Sequence, residues 1–180
     1  MKKIFLIASL IALPFTSFAQ EVKIGFVNTQ EIFSVYPPVK EAQTQLETES
    51  KKMEDQLLKM NEEGQKKLEE YQKMAEQPNP DEAILRDKET ELQALQMRIS
   101  NYQKQAREQL QRKQESLMMP INKAVKDAID AVSSEGGYTY VLDEQVLLFH
   151  SSKAENLTSS VRKKLNIPAN AQPFTPLTNN

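Results

Sequence analysis

Side chains able to do covalent or acid–base chemistry are scarce in this sequence. Its 180 residues include one His, His150, four Gly and no Cys. Without Cys there is no thiol nucleophile, no thiolate-ligated zinc, no iron–sulfur cluster, no disulfide framework and no lipid-modified cysteine anchor. A single imidazole cannot build a histidine-rich metal site, and no Ser/His/Asp order is compelling when one His must serve it. Four glycines leave little material for a loop that cradles phosphate through its backbone N–H groups. Carboxylates are abundant but lie in long helical runs, where no concave setting separates their pKa values into an acid and a base. The expectation is a protein that is not an enzyme, with no catalytic residue, no metal and no cofactor. His150 reads as a surface or satisfied histidine.

The chemistry on offer is adaptable apolar contact. Met53, Met60, Met74, Met97, Met118 and Met119 are six of the seven methionines and lie in one charged, helical stretch. Thioether chains repack around varied apolar partners. The plainer alternative is that they fill the seam of a helical hairpin, and for Met53, Met60 and Met74 that alternative is favoured. Met97 falls off the seam and is the better outward-facing candidate. Tyr71 and Tyr102 divide the same way, rings in the seam and hydroxyls wet.

These positions depend on a distinct order of elements. Lys2 and Lys3 precede an apolar run to Phe15, followed by Thr16-Ser17-Phe18-Ala19. This is the pattern of a secretory signal peptide over residues 1–19, cleaved near Ala19-Gln20. The run is too short to span a bilayer, and no later segment approaches the roughly 18 apolar residues a transmembrane helix needs. The mature chain is therefore expected to be exported and soluble. Export places it where ATP is normally absent, so its work should rest on binding equilibria. With 23 Lys+Arg against 25 Asp+Glu it lacks the basic stripe of a nucleic-acid binder.

Residues 22–27 alternate as a half-buried strand, and Asn28 or Thr29 can cap the helical turn that follows. Pro37-Pro38 then suits the start of a long helix over residues 39–77. Its apolar positions are sparse, and several recur eleven apart (Ala42 to Met53, Leu46 to Leu57, Leu57 to Leu68, Met60 to Tyr71), which predicts a straight or slightly right-handed seam. Prolines and an Asx residue over residues 77–81 give a turn, and Asp81 can cap a second helix over residues 82–119. There Leu85, Leu92, Ile99 and Ala106 repeat every seven, with Leu95 and Tyr102 as the other seam position. The prediction is an antiparallel coiled-coil hairpin arm over residues 38–119. Glu49, Gln56 and Gly64 at or near apolar slots leave it loosely knit.

Pro120 predicts a kink or restart before a denser apolar face from Ile121 to Val132. After Gly136-Gly137, residues 138–142 and 146–149 read as two strands of a hairpin, and a last helix covers residues 154–165. The fold class is α+β, mostly α: a small β body, residues 20–37 and 120–166, carrying one long arm, with residues 167–180 a loose tail. So small a body buries too little apolar surface to be secure alone, and oligomerisation would supply burial and pair strand edges. Ile24, Phe26, Tyr140, Leu142 and Leu148 are the candidates for an oligomerisation core. Physical reasoning alone leaves trimer and dimer both open.

The strand Val22-Lys23-Ile24-Gly25-Phe26-Val27 continuing into Asn28-Thr29-Gln30-Glu31, the segment Gly137-Tyr138-Thr139-Tyr140-Val141-Leu142-Asp143, then Leu148-Phe149-His150 and the closing Asn156-Leu157-Thr158-Ser159-Ser160-Val161 together resemble the Skp/OmpH family of periplasmic chaperones. The likeness covers the mature chain up to Leu165, the arms matching in character only. It implies a homotrimer whose arms surround a cavity, a periplasmic location, and unfolded outer-membrane β-barrel proteins as clients, held without ATP. It makes Met53, Met60, Tyr71, Met74, Met97 and Tyr102 the client-contact candidates. A second class of function, a coiled-coil structural or adaptor protein of the cell envelope docking to one defined partner, predicts instead one contiguous apolar patch. Familiar members of the family have strongly basic arms. Here residues 62–91 carry 10 acidic against 5 basic side chains and residues 98–113 carry 5 basic against 1 acidic. No lipopolysaccharide or membrane contact is therefore transferred, and any electrostatic steering should act near the arm roots.

Overall fold

A computed structural model describes residues 22–174; the expected signal peptide, residues 1–19, lies outside the described residues. Strand β1 (Ile24–Val27) leads into helix α1 (Thr29–Val35), whose first turn is capped by the Asn28 side chain accepting the Glu31 N–H at 2.7 Å. Tyr36 alone separates α1 from α2 (Pro37–Ala75), which opens on two prolines where their missing N–H groups cost nothing. Asp81 caps α3 (Glu82–Glu135) by accepting the Ala83 and Ile84 N–H groups. Helices α2 and α3 pack along their length as the predicted hairpin arm, whose long helix α2 extends about 60 Å at 1.5 Å per residue.

Pro120 does not break α3. The helix continues through it into the body, with the proline ring on the exposed side, so the expected restart at residue 120 is absent and arm and body share one rod. Gly137, at φ 66°, then reverses the chain, and β2 (Tyr140–Asp143) returns beside β1.

The sheet differs from the expected hairpin. β1 is central and pairs in parallel with β2, Ile24 opposite Tyr140 and Phe26 opposite Leu142, and on its other edge with a short β3 (Glu155–Asn156). Residues 146–149 form no strand. The Asp143 carboxylate accepts the Gln145 N–H and starts a 3₁₀ turn over Glu144–Val146, which turns the chain away from the outer edge of β2. The last helix is shorter than its apolar spacing suggests. Glu155 and Asn156 are spent on the sheet, and α4 covers Thr158–Lys164.

Successive strand residues face opposite ways. Gly25, Val27 and Val141 face the helices; a Cβ on Gly25 would meet Leu157 at 3.0 Å and the Tyr138 ring at 3.1 Å, so any larger residue would need these side chains to give by a few tenths of an ångström. The body core gathers Val27, Ile32, Val35, Val125, Ala128, Leu157, Val161 and Ile167, with Ile32 and Val161 fully enclosed. A smaller cluster of Val39, Ala42 and Ile121 sits at the arm root. Ile167 belongs to the core and Phe174 packs on the root cluster, so residues 167–174 are not part of a loose tail as expected for residues 167–180; residues 175–180 lie outside the described residues.

Candidate functional site

The arm is knit by heptads on both helices. On α2 the inward positions are Val39, Leu46, Met53, Met60, Lys67 and Met74, every seventh residue, with Ala42, Glu49, Leu57, Gly64 and Tyr71 between them. Three of the four eleven-residue pairs join inward positions, but Leu57 to Leu68 does not, since Leu68 is 45 % exposed. Lys67 holds the slot instead, and a lysine in an apolar position hides the seven-residue period from a reading of apolar residues alone. On α3, Leu85, Leu92, Leu95, Ile99, Tyr102 and Ala106 all turn inward, Leu95 and Ala106 fully.

Packing quality falls along the arm. Met53, Met60, Leu95 and Ala106 are buried, but beyond Met60 and Leu95 no seam residue is fully buried before the turn. In that distal half Gly64 faces Leu95 with no side chain of its own, and Lys67 and Lys88 occupy seam slots. Their stems lie along the seam while their ammonium groups reach out to carboxylates on the opposite helix. Lys67 Nζ donates to Glu91 at 2.9 Å, Lys88 Nζ to Glu70 at 3.5 Å, and Arg98 Nη2 to Glu63 at 2.9 Å. Hydrogen bonding to Lys67, then its charge and that of Lys88, holds the Glu91 carboxyl below the usual carboxylate range, and Glu91 raises Lys67 in return.

Met53 and Met60 are thus enclosed between the helices and offer no surface in the closed arm; Tyr71, Met74 and Tyr102 are half-buried at its edge. Met97 is 66 % exposed, as its position off the heptads predicts. It lines an open groove of about 570 Å³ with Lys59, Glu63, Ala94, Arg98 and Tyr102, a mixture of apolar and charged side chains. The remaining exposed apolar chains on the arm, Leu58, Leu68, Ile84 and Met119, are dispersed rather than gathered.

The second surface is the sheet face turned away from the helices. Ile24 and Tyr140, paired across the two strands, are 52 % and 60 % exposed, and Leu142 is also open. Val146, Leu148 and Phe149 follow in the adjoining segment, all strongly exposed. Phe26 differs from the other four candidates on this face, being covered within the chain by the His150 ring stacked at 4.4 Å. The outer edge of β2 has no partner among the described residues. Six apolar side chains and a free strand edge in one place form the largest concentration of unburied apolar surface described here.

Two polar clusters escaped sequence reading because each joins a residue beside β1 to residues more than a hundred positions later. Asn28 Nδ2 donates to Glu144 at 2.6 Å, the Thr29 hydroxyl donates to Asp143, and His150 Nε2 lies 3.4 Å from the same Glu144. At the opposite end of the strands Tyr138 donates its hydroxyl to Glu155, while Lys23 Nζ pairs with Glu155 at 3.2 Å and sits 4.1 Å over the Tyr138 ring. Glu155 is held low first by the Tyr138 hydroxyl and then by Lys23; the Tyr138 hydroxyl is raised by the same bond. Both clusters clamp strands to their neighbours. Their sequence signal was the resemblance of the Asn28-Thr29 and Tyr140–Asp143 segments, which marked the positions but not the pairing. Among the described residues no group of three or more His, Asp or Glu side chains is placed to hold a metal, and no helix is long and apolar enough to cross a membrane.

A small α+β body with an open apolar sheet face, carrying one long and loosely packed helical arm, defines a class of protein that works by surface contact. Residues 23–165 match the family model described as outer membrane protein (OmpH-like), and the chain belongs to that family. At the level of the family this is a periplasmic chaperone of outer-membrane proteins. No curated protein matches the sequence.

Proposed function

We propose that the mature chain is an ATP-independent holdase that assembles through its open sheet face, as a homotrimer, and shelters unfolded outer-membrane β-barrel chains between its arms. The observation that carries this reading is the arm's surface. Its apolar groups are few, dispersed and flexible, with Met97 and the half-buried Tyr71, Met74 and Tyr102 among them. Such a surface contacts many sequences weakly and clamps none, and preferential binding of the unfolded state is enough to suppress aggregation. Assembly is supported by Ile24, Tyr140, Leu142 and Leu148, which a lone chain leaves in water beside an unpaired strand edge. Burial of Met53 and Met60 assigns them to holding the arm together.

The test is to shorten the arm by removing residues 61–74 and 84–97, two heptads from each helix, while keeping the turn. Protection of a denatured β-barrel client should be lost, and the assembly should sediment as the intact oligomer less the deleted mass. Undiminished protection would show that clients are not held between the arms. An adaptor would instead use the contiguous apolar patch around Leu148 for a single envelope partner, and the chain would then sediment as a monomer when that partner is absent.

A further inference from the structure

The segment after α4 is built into the junction between body and arm. Asn166, the one described non-glycine residue with positive φ (56°), reverses the chain: its N–H donates to the Lys163 carbonyl at 3.1 Å and that of Ile167 to the Arg162 carbonyl at 2.9 Å. These two bonds form a Schellman helix end. The reversal drops Ile167, 6 % exposed, into the body core. Arg162 reinforces it, donating through Nη2 to the Pro168 carbonyl at 3.3 Å and through Nη1 to Glu31 of α1 at 2.8 Å. A turn closed by the Ala171 N–H on the Pro168 carbonyl then brings the chain to α1, where the Phe174 N–H donates to the Ser34 carbonyl at 2.9 Å. The Phe174 ring packs on the cluster of Val39, Ala42 and Ile121, the first buried residues of the arm on both of its helices.

The mechanical setting gives this contact leverage. α1 is fixed in the body, α2 leaves it across Tyr36, and α3 crosses the same level as one continuous helix in which Pro120 leaves a backbone hydrogen bond unmade, so the arm can swing only by flexing at Tyr36 and Pro120 together. A rotation of roughly 10° at that joint would move the end of a helix this long by about 10 Å. Phe174 is wedged at the pivot, on a segment anchored to the body by Ile167 and Arg162. We propose that residues 167–174 are a strap that fixes the angle between arm and body, with Phe174 as its latch. The strap lies beyond the residues that the family model matches. It is an addition to the body-and-arm plan, and it sets arm geometry whether or not a client is bound.

The chain has no Cys, so labels can be placed cleanly. In the full mature protein, Asp55→Cys on the arm and Ser159→Cys on α4 would carry spin labels, with labelled chains diluted into unlabelled ones so that only the intrachain distance is read. Phe174→Ala should give a distance distribution about twice as wide as the parent while the cooperative melt of the body persists, because local opening draws on fewer contacts than global unfolding. Phe174→Leu, which refills the root cluster, should restore the parent distribution. A Phe174→Ala distribution that coincides with the parent overturns the proposal. So does widening that Phe174→Leu fails to reverse, or widening accompanied by loss of the body's melt, since either makes the segment part of body stability rather than a latch.

Discussion

Lys67 and Glu91 face each other across the arm at 2.9 Å, and the lysine stem fills a heptad slot that an apolar side chain would ordinarily occupy. The arm is therefore two structures in series. Its proximal half is closed by buried Met53, Met60, Leu95 and Ala106, and its distal half by exposed ion pairs over a half-open seam. Exposed pairs are weak and screened by salt, so the distal half should open first.

That opening should depend on ionic strength and pH. Glu91 has a lowered carboxyl pKa, so its contribution is complete above the ordinary value of 4.5 and disappears as pH falls through the lowered value. Lys67 has a raised pKa, so its share is complete below 10.5 and is lost as pH rises through the raised value. Amide hydrogen exchange at neutral pH should show residues 64–92 losing protection when NaCl is raised to about 1 M, where the screening length shrinks to about 3 Å. Residues 46–60 should change little. Equal loss in both halves would contradict the division.

Gly64→Ala should tighten the arm. A Cβ there would lie 3.5 Å from Leu95, an ordinary contact, and alanine favours helix over glycine by about 1 kcal/mol. Distal amides should gain protection by about fivefold, since 1.4 kcal/mol corresponds to tenfold. A loss of protection would mean that the slot must stay empty.

Much of this was legible from residues. Proline pairs at 37–38 and within 77–81 mark the ends of α2, and the sevens of α3 identify its inward face. Three features were not legible, each for a physical reason. Lys67 in a seam slot disguises the heptads of α2, and together with Lys88 on α3 it disguises the weakness of the distal arm. β3 is two residues long, Glu155 and Asn156, with nothing apolar to signal a strand, whereas the apolar stretch 146–149 resembles one and yet leaves the outer edge of β2 unpaired. Ile167 and Phe174 stand among prolines that suggest a loose tail, and only the turn at Asn166 carries them back to the body.

Body and surface positions should separate in mutagenesis. Ile32 is fully enclosed in the body core, so Ile32→Ala should cost about 2–5 kcal/mol. A body this small has little stability to lose, and its urea midpoint should fall steeply or vanish. A shift smaller than that of a conservative surface substitution would mean that the core is not centred on Ile32.

Leu148→Asp should leave the fold of the chain intact, because Leu148 is fully exposed in a single copy. Sedimentation should show the oligomer replaced by folded monomers of unchanged circular dichroism. Persistence of the parent mass would remove Leu148 from the assembly interface and shift attention to Ile24 and Tyr140.

Met97→Asp tests the arm as the contact surface. The residue is open and lies beside Lys59 and Arg98, so the charge is tolerated while an apolar contact is lost. Client affinity should weaken several-fold at unchanged helix content; identical affinity would place client contact elsewhere on the arm.

The most direct measurement dilutes a denatured outer-membrane β-barrel protein into nucleotide-free buffer, with and without the mature chain, and follows light scattering while sedimentation reports the mass of the complex. Suppressed scattering that saturates near one trimer per client is the predicted result. Undiminished scattering in the presence of a well-folded oligomer would contradict the holdase reading and direct the search to a single envelope partner.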